Sequence, residues 1–415
     1  MLLACGLLAA CATAPGPSPS PTSTTAADAH RAVPLQDRRS WHFDYDGVRF
    51  DNLAPATRLT GVERLGPGHY RVTSAPETHP INPSPWFGFR IHSGVAQALR
   101  IDFAYPHDYR HRYVPKLRLG DGPWRAPADG EFILDANGRA QLAIDLAAGT
   151  TLQAIAQVPW LPDEVRAWSD NIAARTGTSV TSIGASVLGR PLPAFAFGAA
   201  PGAPLLLVVG GQHPPEYTGA RALAGFVEVL SADTPQARAF RDQVRVLVAP
   251  QLNPDGVFEG HWRTNANGTD LNRDWGPFAE PETRALRDAL AAEISRSGHV
   301  AFAIDFHSTF RDVLYTVTED PSRIEGGLMH GWIAAMQARF PGRIDERPSA
   351  ASSTVFKNWT YCRHGAPTVT YEVGDTTPDA LLAEVSRQAA ELLMALMRTP
   401  RPAPAPANCA VPAAG

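Results

Sequence analysis

The sequence predicts two domains, an all-β sandwich followed by an α/β domain whose mostly parallel mixed sheet carries helices on both faces. At 415 residues the chain is long enough for two average domains. Between residues 41 and 158 apolar residues recur at every second position, which is typical of half-buried strands. From residue 162 to 398 apolar runs alternate with segments of helical periodicity, which is typical of a sheet covered by helices.

The predicted sandwich is made of short strands joined by turns. The segments 87–91 (FGFRI) and 99–105 (LRIDFAY) each place their apolar side chains on one face. Asn137-Gly138, between EFILDA and RAQLAIDL, predicts a hairpin, because both central turn positions favour residues that tolerate positive φ. Long helical periodicity is absent from this half of the chain.

Four strands are predicted in the second domain, at LLLVV, VRVLVAP, VAFAIDF and APTVTY. Apolar residues at helical spacing lie between these strands, at Leu223, Phe226 and Leu230, at Leu286, Leu290 and Ile294, and at Leu328, Trp332 and Met336. A closing helix is expected from about Asp379 to Met397.

The two ends of the chain have compositions that predict no folded core. Residues 1–11 end in LAAC, which resembles a bacterial lipoprotein processing site, so lipid is expected on Cys11. The positive residues that usually begin such a signal are missing, and an apolar N-terminus without export function is the alternative. Residues 12–40 predict a Pro/Ser/Thr-rich tether, and residues 399–415 a Pro/Ala-rich tail. The expected location is the periplasm or cell surface, on the outer membrane.

The net charge limits the expected partners, and the cysteines bear on the expected compartment. The net charge is −4 with scattered Lys and Arg, which favours neither nucleic acid nor an acidic membrane surface. Membrane contact is therefore expected only through the lipid at Cys11. Cys362 and Cys409 either pair in an oxidising compartment or are two unrelated thiols.

Groups that could hold and use a zinc ion follow the predicted strands. His213 and Glu216 come after LLLVV, His307 ends VAFAIDF, and Glu372 ends APTVTY. The carboxyl ends of neighbouring parallel strands meet in one cleft, so these side chains are expected to converge. A catalytic zinc takes three protein ligands and leaves a position for water. The pattern therefore predicts a zinc hydrolase with one Zn²⁺ per chain.

The segment 253–275 (NPDGVFEGHWRTNANGTDLNRDW) and the segment 84–91 (SPWFGFRI) resemble the zinc metallocarboxypeptidases, in particular the cytosolic carboxypeptidases and their bacterial relatives. In that branch a β-sandwich precedes the peptidase domain. The resemblance implies a peptidase acting on the C-terminal bond of peptide substrates.

The resemblance also implies roles for individual residues. His213, Glu216 and His307 would be the zinc ligands. Glu372 would be the general base, which takes a proton from water and later gives it to the leaving amine. Arg263 would polarise the scissile carbonyl and hold the oxyanion.

Three residues of the same motif would support these groups. Asn272 and Arg273 would hold the terminal carboxylate of the substrate, because the planar guanidinium matches a carboxylate in two parallel hydrogen bonds. Asp270 would accept a hydrogen bond from His213 and fix its tautomer.

Specificity is predicted from spacing. Trp359 lies 13 residues before Glu372, as a Trp does in the digestive relatives, where the residue two positions earlier lines the side-chain pocket. That position is Lys357, whose charge would favour C-terminal Glu or Asp. The alternative is an exposed lysine at the rim.

Two departures from the family leave other functions open. A tyrosine that caps the substrate in digestive members has no counterpart in SAASST, and Tyr361 is too close to Glu372. The segment 307–309 (HST) is similar to that of deacylases with the same zinc fold. A zinc amidase acting on murein peptides or acyl-amino acids is therefore the alternative function, and a binding module with an inactive site is the third.

Overall fold

The computed structural model of the chain describes residues 33–200, 202–399, 403–407 and 409. The predicted lipoprotein signal and most of the predicted tether lie outside these ranges. Four residues of the predicted tether, namely Val33, Gln36, Arg38 and Arg39, form hydrogen bonds with the body of the protein. Arg38, for example, donates hydrogen bonds to the carbonyl of Asn52 at 2.8 Å and to the carboxylate of Glu259 at 3.0 Å.

The first domain is the predicted sandwich of two five-stranded sheets. One sheet has the order β1-β2-β5-β10-β7 and the other the order β3-β4-β6-β9-β8. Neighbouring strands are antiparallel except β4 and β6. Aromatic residues such as Phe50, Tyr70 and Phe89 fill the space between the sheets. The strands are β1 Ser40–Phe43, β2 Val48–Asp51, β3 Gly61–Gly66, β4 His69–Thr73, β5 Gly88–Ser93, β6 Gln97–Ala104, β7 Lys116–Leu119, β8 Phe132–Leu134, β9 Ala140–Leu146 and β10 Thr150–Ile155.

The hairpin predicted at Asn137-Gly138 is present between β8 and β9. Only Gly138 has a positive φ, of 79°. Asp135 closes the loop, because its side chain accepts hydrogen bonds from the backbone N–H groups of Asn137 and Arg139. The turn therefore does not need the left-handed conformation at both positions.

The second domain is built on one eight-stranded mixed sheet of order β11-β12-β14-β13-β15-β18-β16-β17. Four of its strand pairs are parallel, namely β13 with β14 and with β15, β15 with β18, and β16 with β17. The strands are β11 Thr181–Ala185, β12 Pro191–Gly198, β13 Leu205–Gly210, β14 Arg245–Ala249, β15 Val300–Thr309, β16 Val313–Val317, β17 Asp345–Ser349 and β18 Thr368–Gly374.

Helices cover both faces of this sheet, as predicted. Alternate residues of β13 belong to different apolar clusters, with Leu206 and Val208 on one face and Leu207 and Val209 on the other. The helices are α1 Pro162–Arg175, α2 Tyr217–Leu230, α3 Pro235–Arg241, α4 Pro254–Glu259, α5 Pro281–Ser297, α6 Leu328–Arg339, α7 Phe356–His364 and α8 Asp379–Met397. Among the residues described, none of these helices is long and apolar enough to cross a membrane.

The end of the chain is held against the second domain. Cys362, in α7, and Cys409 form a disulfide across 47 positions of sequence, so the two thiols are paired. Near this bond the backbone of Ala405 lies over Gly365, where an added Cβ would come within 2.0 Å of the Ala405 carbonyl oxygen. Part of the predicted tail is therefore tied to the helix that carries Lys357.

Candidate active site

Three side chains predicted to bind one metal ion lie together at the carboxyl ends of β13 and β15. His213 follows β13, Glu216 is the N-cap residue of α2, and His307 lies in β15. One possible ligand atom from each lies within 4.8 Å of the other two. The Nδ1 atom of His307 is 3.1 Å from Nδ1 of His213 and 2.7 Å from Oε2 of Glu216. All three residues are buried.

An aspartate lies behind each histidine. The Nε2 atom of His213 is 2.9 Å from Oδ1 of Asp270, as predicted, and Nε2 of His307 is 2.8 Å from Oδ2 of Asp305. Each aspartate can accept the Nε2 proton of its imidazole, which leaves the Nδ1 lone pair directed towards the other ligands. Two imidazole nitrogens and a carboxylate oxygen converging in this way are a donor set that fits zinc.

Asp305 was not among the predicted site residues. It lies two positions before His307 in β15, so both side chains project from the same face of the strand. An aspartate and a histidine at that spacing are the signal that could have identified it. Its Oδ2 atom also accepts a hydrogen bond of 2.7 Å from Gln212, whose amide oxygen accepts one of 2.8 Å from Trp275. A buried chain of hydrogen bonds thus orients the carboxylate behind His307.

The charges of the ligands favour a cation between them. Burial raises the pKa of Glu216, but His213 and His307 outweigh burial and lower this pKa well below its ordinary value. Burial lowers the pKa of His307, but Asp305 and Glu216 outweigh burial and raise it well above its ordinary value. Both effects mean that positive charge is stabilised at this point of the molecule, and a divalent ion supplies such charge.

Glu372 lies directly opposite His307 in the parallel pair formed by β18 and β15. Its Oε2 atom is buried and has no hydrogen-bond partner in the part of the chain that the structure describes. Burial, followed by the negative charge of Glu216, raises the pKa of Glu372 to about 7. The predicted base is therefore next to the predicted metal ligands, and its affinity for a proton suits a group that both takes and returns one.

Arg263 reaches the same cleft from the loop after α4. Its Nε atom donates a hydrogen bond of 2.7 Å to Oδ2 of Asp270, the carboxylate whose other oxygen contacts His213. Burial raises the pKa of Asp270, but His213 and then Arg263 outweigh burial and lower this pKa far below its ordinary value. Asp270 therefore stays ionised and couples the arginine to a predicted metal ligand.

The loop that carries Arg263 is held by Glu77 of the sandwich domain. Glu77 is buried, and its carboxylate accepts hydrogen bonds from the backbone N–H groups of Trp262, Arg263 and Thr264 at 2.7, 2.9 and 2.7 Å. It also accepts one of 2.9 Å from the hydroxyl of Thr264. Glu77 was not predicted, and it gives the first domain a direct part in placing Arg263.

The predicted substrate-binding residues lie on the walls of the cleft. The amide oxygen of Asn272 accepts a hydrogen bond of 2.9 Å from the backbone N–H group of Phe356, and Arg273 is exposed beside it. Lys357 is 5% exposed, so the alternative of an exposed rim lysine is wrong. Its Nζ atom donates to Oγ of Ser349 at 3.0 Å and to Oδ1 of Asn358 at 2.8 Å. Burial lowers the pKa of Lys357 to about 8.

The cleft has a volume of about 380 Å³ and contains groups that sequence patterns did not indicate. Tyr315 of β16 lines it, whereas the hydroxyl of Tyr361 donates to the carbonyl of Glu319 outside its walls. A phenol side chain thus lines the cleft, from a different strand than the one that carries Glu372. A larger cleft of about 850 Å³ lies between the domains but is lined by none of the predicted site residues.

Comparison with known proteins relates this site to one family. The profile of the family Peptidase_M14, zinc carboxypeptidase, matches residues 165–388, which is more than half of the chain. Cytosolic carboxypeptidase 6 of Mus musculus is 29% identical over 140 residues, covering 33% of this chain and 24% of the mouse protein. An uncharacterised protein of Zymomonas mobilis is 32% identical over 236 residues, covering 54% of this chain and 58% of that protein. The chain thus covers less than two thirds of the length of either relative.

A solved structure extends the likeness beyond the second domain. The metallo-carboxypeptidase of Burkholderia cenocepacia superposes with a TM-score of 0.69 at 21% identity, over 84% of this chain and 98% of that one. This share is larger than the α/β domain alone, so the similarity in fold reaches into the sandwich. On the profile match, the chain belongs to the zinc carboxypeptidase family Peptidase_M14.

Proposed function

We propose that this protein is a zinc-dependent carboxypeptidase that hydrolyses the C-terminal peptide bond of peptides and prefers acidic C-terminal residues. The observation that carries the proposal is the convergence of His213, Glu216 and His307, with Glu372 directly opposite His307 on the neighbouring strand. Family membership supports the same reaction.

The residues of the cleft fit the steps of peptide hydrolysis. Zinc, when bound by His213, Glu216 and His307, supplies a Lewis acid and lowers the pKa of a water molecule. Glu372 takes the proton from the attacking water and returns it to the leaving amine. Arg263 donates hydrogen bonds to the carbonyl oxygen as negative charge develops on it.

The part of the cleft beyond the scissile bond is suited to a carboxylate-bearing residue. Asn272 and Arg273 can bind the terminal carboxylate. Lys357 adds a second cation, whose Nζ atom contacts two neutral oxygen atoms and, among the described residues, forms no ion pair with a carboxylate. An ammonium group buried in this way gains more from an anionic partner than an exposed lysine does, because water screens the interaction less.

The proposal predicts a preference that depends on Lys357. Peptides that differ only in a C-terminal Glu, Leu or Lys should be cleaved fastest at Glu by zinc-loaded enzyme and not at all after chelation. A charge-assisted hydrogen bond is worth about a 10-fold to 100-fold difference in affinity, so Lys357→Met should lower the Glu-to-Leu ratio of kcat/KM by about 10-fold or more. Lys357→Glu should move the preference towards C-terminal Lys.

Lys116 provides the matched control, because it is the only other lysine in the sequence and lies in the sandwich outside this cleft. Lys116→Met should leave the ratio unchanged. Mass spectrometry of the products separates removal of one terminal residue from internal cleavage. An unchanged Glu-to-Leu ratio in Lys357→Met would contradict the acidic preference, and activity in the chelated enzyme would contradict the zinc mechanism.

The same assay addresses the amidase alternative. That alternative depended on a missing tyrosine, on the HST segment at 307–309 and on the expected location at the cell envelope. Tyr315 removes only the first of these grounds, because it places a phenol in the cleft from another strand. Murein tetrapeptides and acyl-amino acids, added as parallel substrates, should be cleaved more slowly than acidic peptides. Faster cleavage of either class would favour the amidase.

We propose that the protein is anchored by lipid at Cys11 and acts in the periplasm or at the cell surface. The LAAC segment supports the anchor, and the disulfide of Cys362 with Cys409 supports an oxidising compartment, where such bonds persist. Cys11→Ser should move the protein from the outer-membrane fraction to the soluble periplasmic fraction, measured by immunoblot of separated fractions. Unchanged membrane recovery of this variant would contradict the anchor.

A further inference from the structure

Arg112 belongs to the sandwich domain, yet its side chain lines the cleft of the second domain. The Nε atom donates to Oδ2 of Asp375 at 2.8 Å, across the boundary between the domains. One terminal nitrogen donates to the hydroxyl of Ser84 at 2.6 Å, and the other donates to the carbonyl of Ser308 at 3.3 Å. Ser308 directly follows the predicted ligand His307, so the guanidinium lies beside the metal site.

The guanidinium is rigidly held. The side chain is 8% exposed, and its central carbon lies 5.0 Å from the ring centroid of Tyr113 and 4.8 Å from that of Phe310. Phe310 is itself 73% exposed, at the mouth of the cleft. A guanidinium fixed by two rings and an ion pair loses little side-chain entropy when it binds a ligand.

The hydrogen bonds of Arg112 leave donors for a ligand. A guanidinium has five N–H groups, and the contacts to Asp375, Ser84 and Ser308 use three of them. The ligand they suit is a neutral acceptor, because Asp375 already balances the charge of Arg112. A further carboxylate here would also lie close to the negative charges of Glu216 and Asp375, which both act on this arginine.

The position of Arg112 in the cleft suits it to the part of the substrate on the amino-terminal side of the scissile bond. Under the proposed function, the C-terminal residue occupies the part of the cleft lined by Asn272, Arg273 and Lys357. The residues before the scissile bond must then lie elsewhere in the cleft, whose lining also includes residues 82–84, residues 308–310 and Arg112.

We propose that Arg112 is a substrate-binding residue contributed by the sandwich domain, and that it donates hydrogen bonds to a backbone carbonyl of the peptide on the amino-terminal side of the scissile bond. This inference depends on the proposed function and adds a role for the first domain. The sandwich domain then takes part in substrate recognition through Arg112, in addition to holding the Arg263 loop through Glu77.

Two substrates with the same scissile bond test the proposal. N-propionyl-Glu has no carbonyl before the scissile one, whereas acetyl-Ala-Ala-Glu has two. In Arg112→Gln we expect KM for the longer substrate to rise about 10-fold, the effect of one charge-assisted hydrogen bond, with kcat within about twofold of the wild-type value. The kcat/KM of N-propionyl-Glu should change by less than about twofold.

Arg118→Gln is the matched control, because Arg118 is another sandwich arginine that stacks on an aromatic ring, that of Trp124, and lies outside the cleft. This variant should leave both substrates unaffected. Should Arg112→Gln fail to fold, Arg112→Lys keeps a cation beside Asp375 but lacks the planar fork, and its KM for the longer substrate should rise several-fold.

The outcomes separate this inference from the proposed function. Equal losses on both substrates in the Arg112 variants would overturn the assignment and leave Arg112 as a structural contact between domains. A wild-type enzyme that cleaves neither substrate, nor any other peptide, would overturn the proposed function instead.

Discussion

Glu372→Gln is expected to lower kcat by about 10²-fold to 10⁴-fold, the range that general acid–base catalysis contributes. Glutamine has nearly the same shape as glutamate, but it cannot take a proton from water or return one to the leaving amine. Glu372 is not one of the three converging ligands, so the variant should still bind one zinc per chain. Steady-state kinetics on an acidic tripeptide, with zinc content measured on the same sample, checks this result.

The appropriate control for Glu372→Gln is Glu384→Gln, a change of a half-buried residue of α8 that lies outside the cleft and should alter kcat by less than about twofold. A Glu372→Gln enzyme that keeps most of its kcat at full zinc occupancy would remove this residue from the reaction. Loss of zinc from the variant would instead make Glu372 a metal ligand, which also contradicts its proposed role.

Arg263→Gln is expected to lower kcat by about 10²-fold to 10³-fold, the usual effect of losing one hydrogen-bond donor to an oxyanion. The change in KM should be small, because the negative charge that Arg263 stabilises develops only as the reaction proceeds. Zinc content must be measured, since Arg263 and His213 share the carboxylate of Asp270.

Arg263 could act directly, by donating to the oxyanion, or indirectly, through Asp270 and the orientation of His213. A second variant distinguishes these two effects. Asp270→Asn disturbs the orientation of His213 and should weaken zinc binding by about 10-fold to 100-fold, the usual effect of losing such a partner. Arg263→Gln should not weaken zinc binding to that extent. A rise in KM at constant kcat in Arg263→Gln would contradict the transition-state role, because it would mean that the arginine binds substrate and transition state equally.

The convergence of the predicted zinc ligands could be expected from the sequence, because the carboxyl ends of neighbouring parallel strands meet at one edge of a sheet. His213, His307 and Glu372 each follow an apolar run, and the register of β15 with β18 places His307 directly opposite Glu372. The spacing from Trp359 predicted that Lys357 lines the side-chain pocket. The sequence patterns did not indicate that both residues lie in a helix, α7. The structure decided that this lysine is buried in the cleft rather than exposed at the rim.

The part of the site contributed by the first domain could not be predicted. Glu77 contacts a loop 185 to 187 positions away in sequence, and Arg112 contacts Asp375 at a separation of 263 positions. Neither residue belongs to a periodic pattern or a motif that links it to its partner. Tyr315 could not be predicted for a related reason, because it comes from β16, which runs antiparallel to β18 and is distant in sequence from the segment before Glu372.

The sequence by itself therefore determined the two-domain architecture, the ends of the strands and the residues that converge at them, because periodicity and short-range spacing reflect which side chains face the sheet and where a strand ends. Only the tertiary structure decided which side chains from the sandwich enter the cleft and which aspartate lies behind His307. Those contacts depend on how the two domains pack together and on hydrogen bonds between residues far apart in sequence, and no local pattern in the chain encodes them.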